Sequence, residues 1–186
     1  MQDLSTFKLP NGFRGRNALY VQLWWAVQST LFNLSPQFAY GFRVILLRIF
    51  GAKIGKNVLI RQSASITYPW KVSIGDNSWI GDDVVLYSLG EIIIGSNSVV
   101  SQRSYLCAGD HDYLKDDFPI RSKTIIIGDG AWLAADVFVA PGITISNNVV
   151  VGARSSVFKD LPQGMVCLGN PCVAIKPRFQ NNSDSI

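Results

Sequence analysis

His111 is the one histidine of the chain, and it lies between two carboxylates in Gly109-Asp110-His111-Asp112-Tyr113. An imidazole, with an ordinary pKa near ~6.5, is neutral enough at pH 7 to take a proton from a hydroxyl and acidic enough to hand it to a leaving group. Asp110 or Asp112 could accept the other ring N–H and so fix the tautomer. A backbone carbonyl could do the same, because neighbours in sequence usually point apart. The catalytic candidates are therefore His111, Asp110 and Asp112. No metal is expected, since a zinc site built on histidines needs several of them. Cys107, Cys167 and Cys172 form no CxxC pairing and read as reduced thiols of a cytoplasmic protein.

A base of this kind needs a rigid support, and the support is written as a repeat. Aliphatic residues recur six apart at Ile54, Ile60 and Ile66, at Ile74, Ile80 and Leu86, and at Ile94, Val100 and Leu106. They resume at Ile127, Leu133, Val139, Ile145, Val151 and Val157. A period of six fits neither an α-helix nor a simple alternation. It fits a triangular coil of three hexapeptides, about eighteen residues per turn, with each aliphatic pointing into the prism and a small residue following it. The expected fold is a mainly β, left-handed parallel β-helix. The phase slips around Ser88-Leu89-Gly90, and between Leu106 and Ile127 the chain leaves the coil for a long loop that carries His111. Loops held on rigid scaffolds are where chemistry concentrates.

Two helices are expected before the prism. The first runs over about 17–34, with Tyr20, Leu23, Trp24, Val27, Leu31 and Leu34 on one stripe. The second has Ser35 as N-cap, Pro36 at its first position, Phe38, Phe42, Ile45 and Ile49 on one face, and Gly51 as terminator. Residues 1–53 then form a helical cap. Residues 54–186 form the β-helix domain, with an excursion loop over 107–126 and a C-terminal tail. The excess apolar surface of the helices, near Arg43, Arg48 and Lys53, raises peripheral contact with a membrane or a lipid-linked acceptor.

With 186 residues and 48% apolar content, the chain can bury one domain's core. Its net charge of +4 is spread from Lys8 to Arg178, which speaks against nucleic acid as a partner. The apolar stretch Ala18 to Leu34 is broken by Gln22, Gln28, Ser29, Thr30 and Asn33 and makes a poor membrane span. No secretory signal opens the chain, so a cytoplasmic location is expected.

The hexapeptide column, Trp132 within IGDGAWLAADVFVAPGITI, Lys159 within VFKDLP, and GNPCVAIK together resemble the hexapeptide-repeat O-acetyltransferases of the galactoside and maltose group. LYSLGEIIIG, SYLCAGDHDY and RIFGAKIG look most like the colanic acid biosynthesis acetyltransferases among them. The resemblance implies acetyl-CoA as co-substrate, a sugar or oligosaccharide hydroxyl as acceptor in surface polysaccharide biosynthesis, and a homotrimer that shares its sites between neighbours. It puts His111 on the catalytic histidine and Trp132, Ala135, Ala153, Phe158, Lys159 and Lys176 on the acetyl-CoA groove. Ala135 lies where the family meets the thioester and could offer its N–H to an oxyanion. Phe158 stands where the family has threonine. The family's sugar-binding asparagine has no clear counterpart near Asp82 and Asp83, so Asp83, Tyr87 and Tyr113 are the acceptor candidates. Arg103, Arg121 and Lys123 could meet a phosphate or an acidic sugar.

Rival readings divide on sequence features. A γ-class carbonic anhydrase would need three histidines, and a sugar nucleotidyltransferase a large N-terminal nucleotide-binding domain. A noncatalytic hexapeptide scaffold, or an acetyltransferase for serine or an amino sugar, stands as the alternative.

Overall fold

The computed structural model describes residues 2–179, so the far end of the expected C-terminal tail, from residue 180, lies outside the described residues. Two helices, α1 (Ala18–Val27) and α2 (Tyr40–Ile49), precede the strands. The strands then wind in threes. The first coil is β1 (Lys53–Ile54), β2 (Leu59–Ile60) and β3 (Ser65–Ile66), and the second is β4 (Val72–Ile74), β5 (Trp79–Ile80) and β6 (Val85–Tyr87). The third is β7 (Ile92–Ile94), β8 (Val99–Val100) and β9 (Tyr105–Cys107), after which β10 (Gly109–His111) and β11 (Ile120–Ser122) leave the prism. The fourth is β12 (Ile125–Ile127), β13 (Trp132–Leu133) and β14 (Phe138–Val139), and the fifth is β15 (Thr144–Ile145), β16 (Val150–Val151) and β17 (Ser156–Val157). A hairpin of β18 (Met165–Gly169) and β19 (Cys172–Pro177) finishes the described chain.

Equivalent strands of successive coils pair in parallel, giving three faces in the orders β1-β4-β7-β12-β15, β2-β5-β8-β13-β16 and β3-β6-β9-β14-β17. The register places the six-residue aliphatics directly above one another. Ile54, Ile74, Ile94, Ile127 and Ile145 form one column. The columns on Ile60 and Ile66 run the same way. All fifteen positions are buried, so the period read from the sequence is the core of a parallel β-helix. A small residue does not follow every aliphatic, since Arg61, Tyr87 and Phe158 also stand there, but the glycines that do have a concrete cause. A Cβ on Gly95 would lie 2.7 Å from the backbone of Gly128 and Asp129 in the next coil, and one on Gly75 would lie 2.7 Å from Gly95. It is close approach between coils, not turn flexibility, that excludes a side chain there.

The helices close the first coil by satisfying its free strand edge on all three faces. Arg48 donates to the Ile54 carbonyl (2.7 Å), Arg43 to the Ile60 carbonyl (2.7 Å) and the Trp24 indole to the Ile66 carbonyl (2.8 Å). The Ile66 N–H in turn donates to the Gln28 side chain (2.7 Å). Buried backbone groups need partners, and this requirement overrides the apolar pattern.

Three helix expectations are therefore corrected. First, α1 ends at Val27 and continues as a π turn over Gln28–Phe32. It buries Val21, Trp24 and Phe32, while the stripe members Leu23, Leu31 and Leu34 are exposed. Second, α2 begins at Tyr40, because the Ser35 hydroxyl accepts from the buried Arg43 guanidinium (2.8 Å) and does not cap a helix. Third, the stripe Phe38, Phe42, Ile45 and Ile49 exists, but it faces away from the prism, and Arg43, Val44 and Leu47 are the buried side. Gly51 does end the helix, at φ +89°. No helix among the described residues is long and apolar enough to cross a membrane.

Candidate active site

His111 stands on a hairpin rather than on a plain loop. β10 and β11 pair antiparallel, with Asp110 opposite Arg121 and His111 opposite Ile120. Arg121 fastens the two strands: its Nε and Nη2 donate to both Asp110 oxygens (2.8 and 2.9 Å), and Nη2 also reaches the His111 carbonyl (3.1 Å). The hydrogen bonds to Asp110 raise the Arg121 guanidinium further above its ordinary value. Asp112 accepts from the Leu114 N–H (3.2 Å) and lies 3.9 Å from Arg121, which tightens the hairpin tip.

Of the three candidate partners for the ring, the backbone carbonyl is the one used. His111 Nδ1 lies 2.8 Å from the Phe118 carbonyl oxygen, and both flanking aspartates turn to Arg121 and the tip. A carbonyl can only accept, so Nδ1 carries hydrogen, and in the neutral ring Nε2 keeps its lone pair. The Phe118 ring stacks on the imidazole at 4.2 Å and 8°. Phe7 approaches the same ring to 6.0 Å, and its segment is tied to the hairpin by the Asp3 N–H donating to Asp116 (2.8 Å).

The groove candidates fall elsewhere. Ala135 and Ala153 occupy the turns that follow β13 and β16, stacked one coil apart, with the Arg154 N–H donating to the Ala135 carbonyl (2.9 Å). On the next face an aromatic ladder climbs from Tyr87 to Tyr105 (6.0 Å), Phe138 (6.2 Å) and Phe158 (5.8 Å), and exposed Lys159 follows it. Trp132 projects from the preceding face and donates to the Ser101 hydroxyl (3.0 Å). Lys176 is exposed on β19, and Tyr113 is exposed at the hairpin tip. Asp83 lies in a column of left-handed corner residues with Arg103, Asp136 and Arg154. There Arg103 grips Asp136 (2.7 and 2.9 Å), and its guanidinium holds that carboxyl below the usual carboxylate range. One chain thus presents two sets at different corners of the prism: His111 and Tyr113 on the hairpin that follows β9, and Trp132, Ala135 and Ala153 on and after the second-face strands β13 and β16.

No family model matches the chain. A colanic acid biosynthesis acetyltransferase assigned in Escherichia coli, WcaF, is 62% identical over 180 residues, covering 97% of this chain and 99% of that protein. The chain belongs to the hexapeptide-repeat acetyltransferases. A galactoside O-acetyltransferase of Escherichia coli is 28% identical over 78% of this acetyltransferase and 73% of its own length. The crystal structure of a maltose O-acetyltransferase from Clostridium difficile superposes with a TM-score of 0.80 at 29% identity, covering 88% of this chain and 90% of that one.

Three features of this candidate site are not specified by the sequence pattern. The Phe118 carbonyl is seven residues from the ring it holds, and no side-chain pattern marks a carbonyl. Phe7 is 104 positions away, with no periodicity to link it. Arg121, a candidate contact to a phosphate or acidic sugar of the acceptor, has its guanidinium engaged within the hairpin. The opposite charges of Asp110 and Arg121, one on each arm of the excursion, are the one signal the sequence offers for that pairing.

Proposed function

We propose that this acetyltransferase moves an acetyl group from acetyl-CoA to a sugar hydroxyl in surface polysaccharide biosynthesis, with His111 Nε2 as general base. The observation that carries this reading is the Nδ1 contact to the Phe118 carbonyl, which leaves Nε2 as the ring's proton acceptor. Nε2 takes the acceptor hydroxyl's proton as its oxygen bonds to the acetyl carbon. The carbon–sulfur bond then breaks, and Nε2–H returns the proton to the departing thiolate. The Ala135 N–H takes no part in the backbone hydrogen bonding between coils and suits the oxyanion, while Lys159 and Lys176 suit the CoA phosphates. Acetyl-CoA supplies the activated acetyl group. Asp83, Tyr87 and Tyr113 remain acceptor candidates, and Asp110 and Asp112 act through Arg121 on the shape of the hairpin.

The separation of the two sets within one chain favours a cyclic homotrimer, in which the hairpin of one subunit meets the Trp132 face of the next. In this reading residues 1–53 are the cap and 54–186 the catalytic β-helix domain. The enzyme works in the cytoplasm, with the cap in peripheral contact with a membrane or a lipid-linked acceptor.

The test is thiol release from acetyl-CoA in the presence of an oligosaccharide acceptor. His111→Ala should lower the rate by about 10²–10⁴-fold at unchanged native mass. A variant with near wild-type turnover would remove His111 from the mechanism.

A further inference from the structure

The end of the molecule closed by the helices is an apolar face that its own fold leaves uncovered. The buried sides of α1 and α2 bond the free edge of the first coil, so their opposite sides look away from the prism along its axis. Those sides carry Leu19 and Leu23 on α1, Leu31 and Leu34 in the connection, and the stripe through Phe42, Ile45 and Ile49 on α2. Phe38 is 83% exposed, Leu34 80% and Ile49 66%. A contiguous patch of large apolar side chains on one end marks an interaction surface.

Basic residues dominate the segment that builds this end. Residues 4–75 contain nine Lys and Arg and no Asp or Glu, while residues 76–186 carry eight basic and twelve acidic residues. Arg16, Arg48, Lys53 and Lys56 are exposed at this end, and Arg48 spends its hydrogen bonds on carbonyls of the first coil. An apolar helix face rimmed by exposed basic side chains matches the boundary of a bilayer rich in anionic headgroups. A second copy seated on the same face would set cations against cations. The helices are too short to cross a bilayer, so they would lie in its surface.

We propose that the helical end docks flat on an anionic phospholipid surface, with the prism axis standing along the membrane normal. This deepens and rests on the peripheral contact proposed above, and it is independent of the chemistry at His111. Two coil spacings of about 4.8 Å and one helix diameter of about 10 Å place the base of the His111 hairpin about 20 Å above the surface.

The test is sedimentation of the full chain with phosphatidylcholine vesicles, with and without phosphatidylglycerol, at low and high salt, beside the soluble acetyl-transfer assay. Binding is expected to the anionic vesicles alone and to weaken with salt. Ile45→Gln with Ile49→Gln should abolish it. Lys53→Gln and Lys56→Gln should each weaken it roughly fivefold, the equivalent of about 1 kcal/mol per basic residue. Turnover on a soluble acceptor should not change in these variants, so lost docking and lost chemistry are read separately. Equal binding to both vesicle types, or none to either, would overturn the proposal. So would a fall in native mass in the isoleucine variant, which would assign the face to a second copy.

Discussion

Arg121 joins the two strands of the hairpin at the level of His111, and it does so with both Asp110 oxygens and a backbone carbonyl at once. Only a planar guanidinium offers that fork, so lysine is not an equivalent there. Because Arg121 shapes the hairpin without belonging to the prism core, Arg121→Ala should lower kcat by up to about 10²-fold while the melting temperature moves little. Steady-state kinetics beside a thermal melt would check this, and an unchanged kcat would reduce the pairing to a surface ion pair. The residue scale is where the sequence was least legible. His111 stood out as the sole imidazole in the one long departure from the repeat. Its orienting partner did not, because three acceptors were within reach on paper and the one used is a main-chain oxygen set by the turn at Phe118. Asp110 and Asp112, attractive as neighbours of the ring, alternate away from it along the strand.

The strands were far more legible than the helices, for a physical reason. Each two-residue strand offers one inward position, so a prism must place an aliphatic there every six residues, and all fifteen read from the sequence are buried. The helices obey a different demand. They must donate hydrogen bonds to the exposed edge of the first coil, so α2 buries Arg43, whose guanidinium also reaches the Ser35 hydroxyl and the carbonyls of Pro36 and Gln37. The rule that apolar means inward then assigns the wrong face. The same close stacking gives an element-scale prediction. Gly95→Ala would push a Cβ against the backbone of Gly128 and Asp129, where no flexible side chain can yield. It should destabilise the fold by about 1–3 kcal/mol, measurable by urea unfolding. A stability loss below ~0.5 kcal/mol would mean that the coils can separate at that corner.

At the scale of the whole molecule, the proposed trimer would make the active site a property of an assembly. His111→Ala chains and Lys159→Glu chains should each be poor enzymes alone. Mixed before assembly in equal amounts, they should regain about a quarter of the wild-type sites, since each mixed cyclic trimer keeps one intact boundary in three. Mixed trimers of verified mass without recovered thiol release would place each site within a single subunit. A stack of coils also carries an intrinsic hazard, because its first turn offers unpaired strand edges to any similar turn. Here Arg48, Arg43 and Trp24 occupy that edge on all three faces. They act as a stopper on that end of the stack, so a chain shortened to start at the first coil would be expected to associate through its exposed first turn.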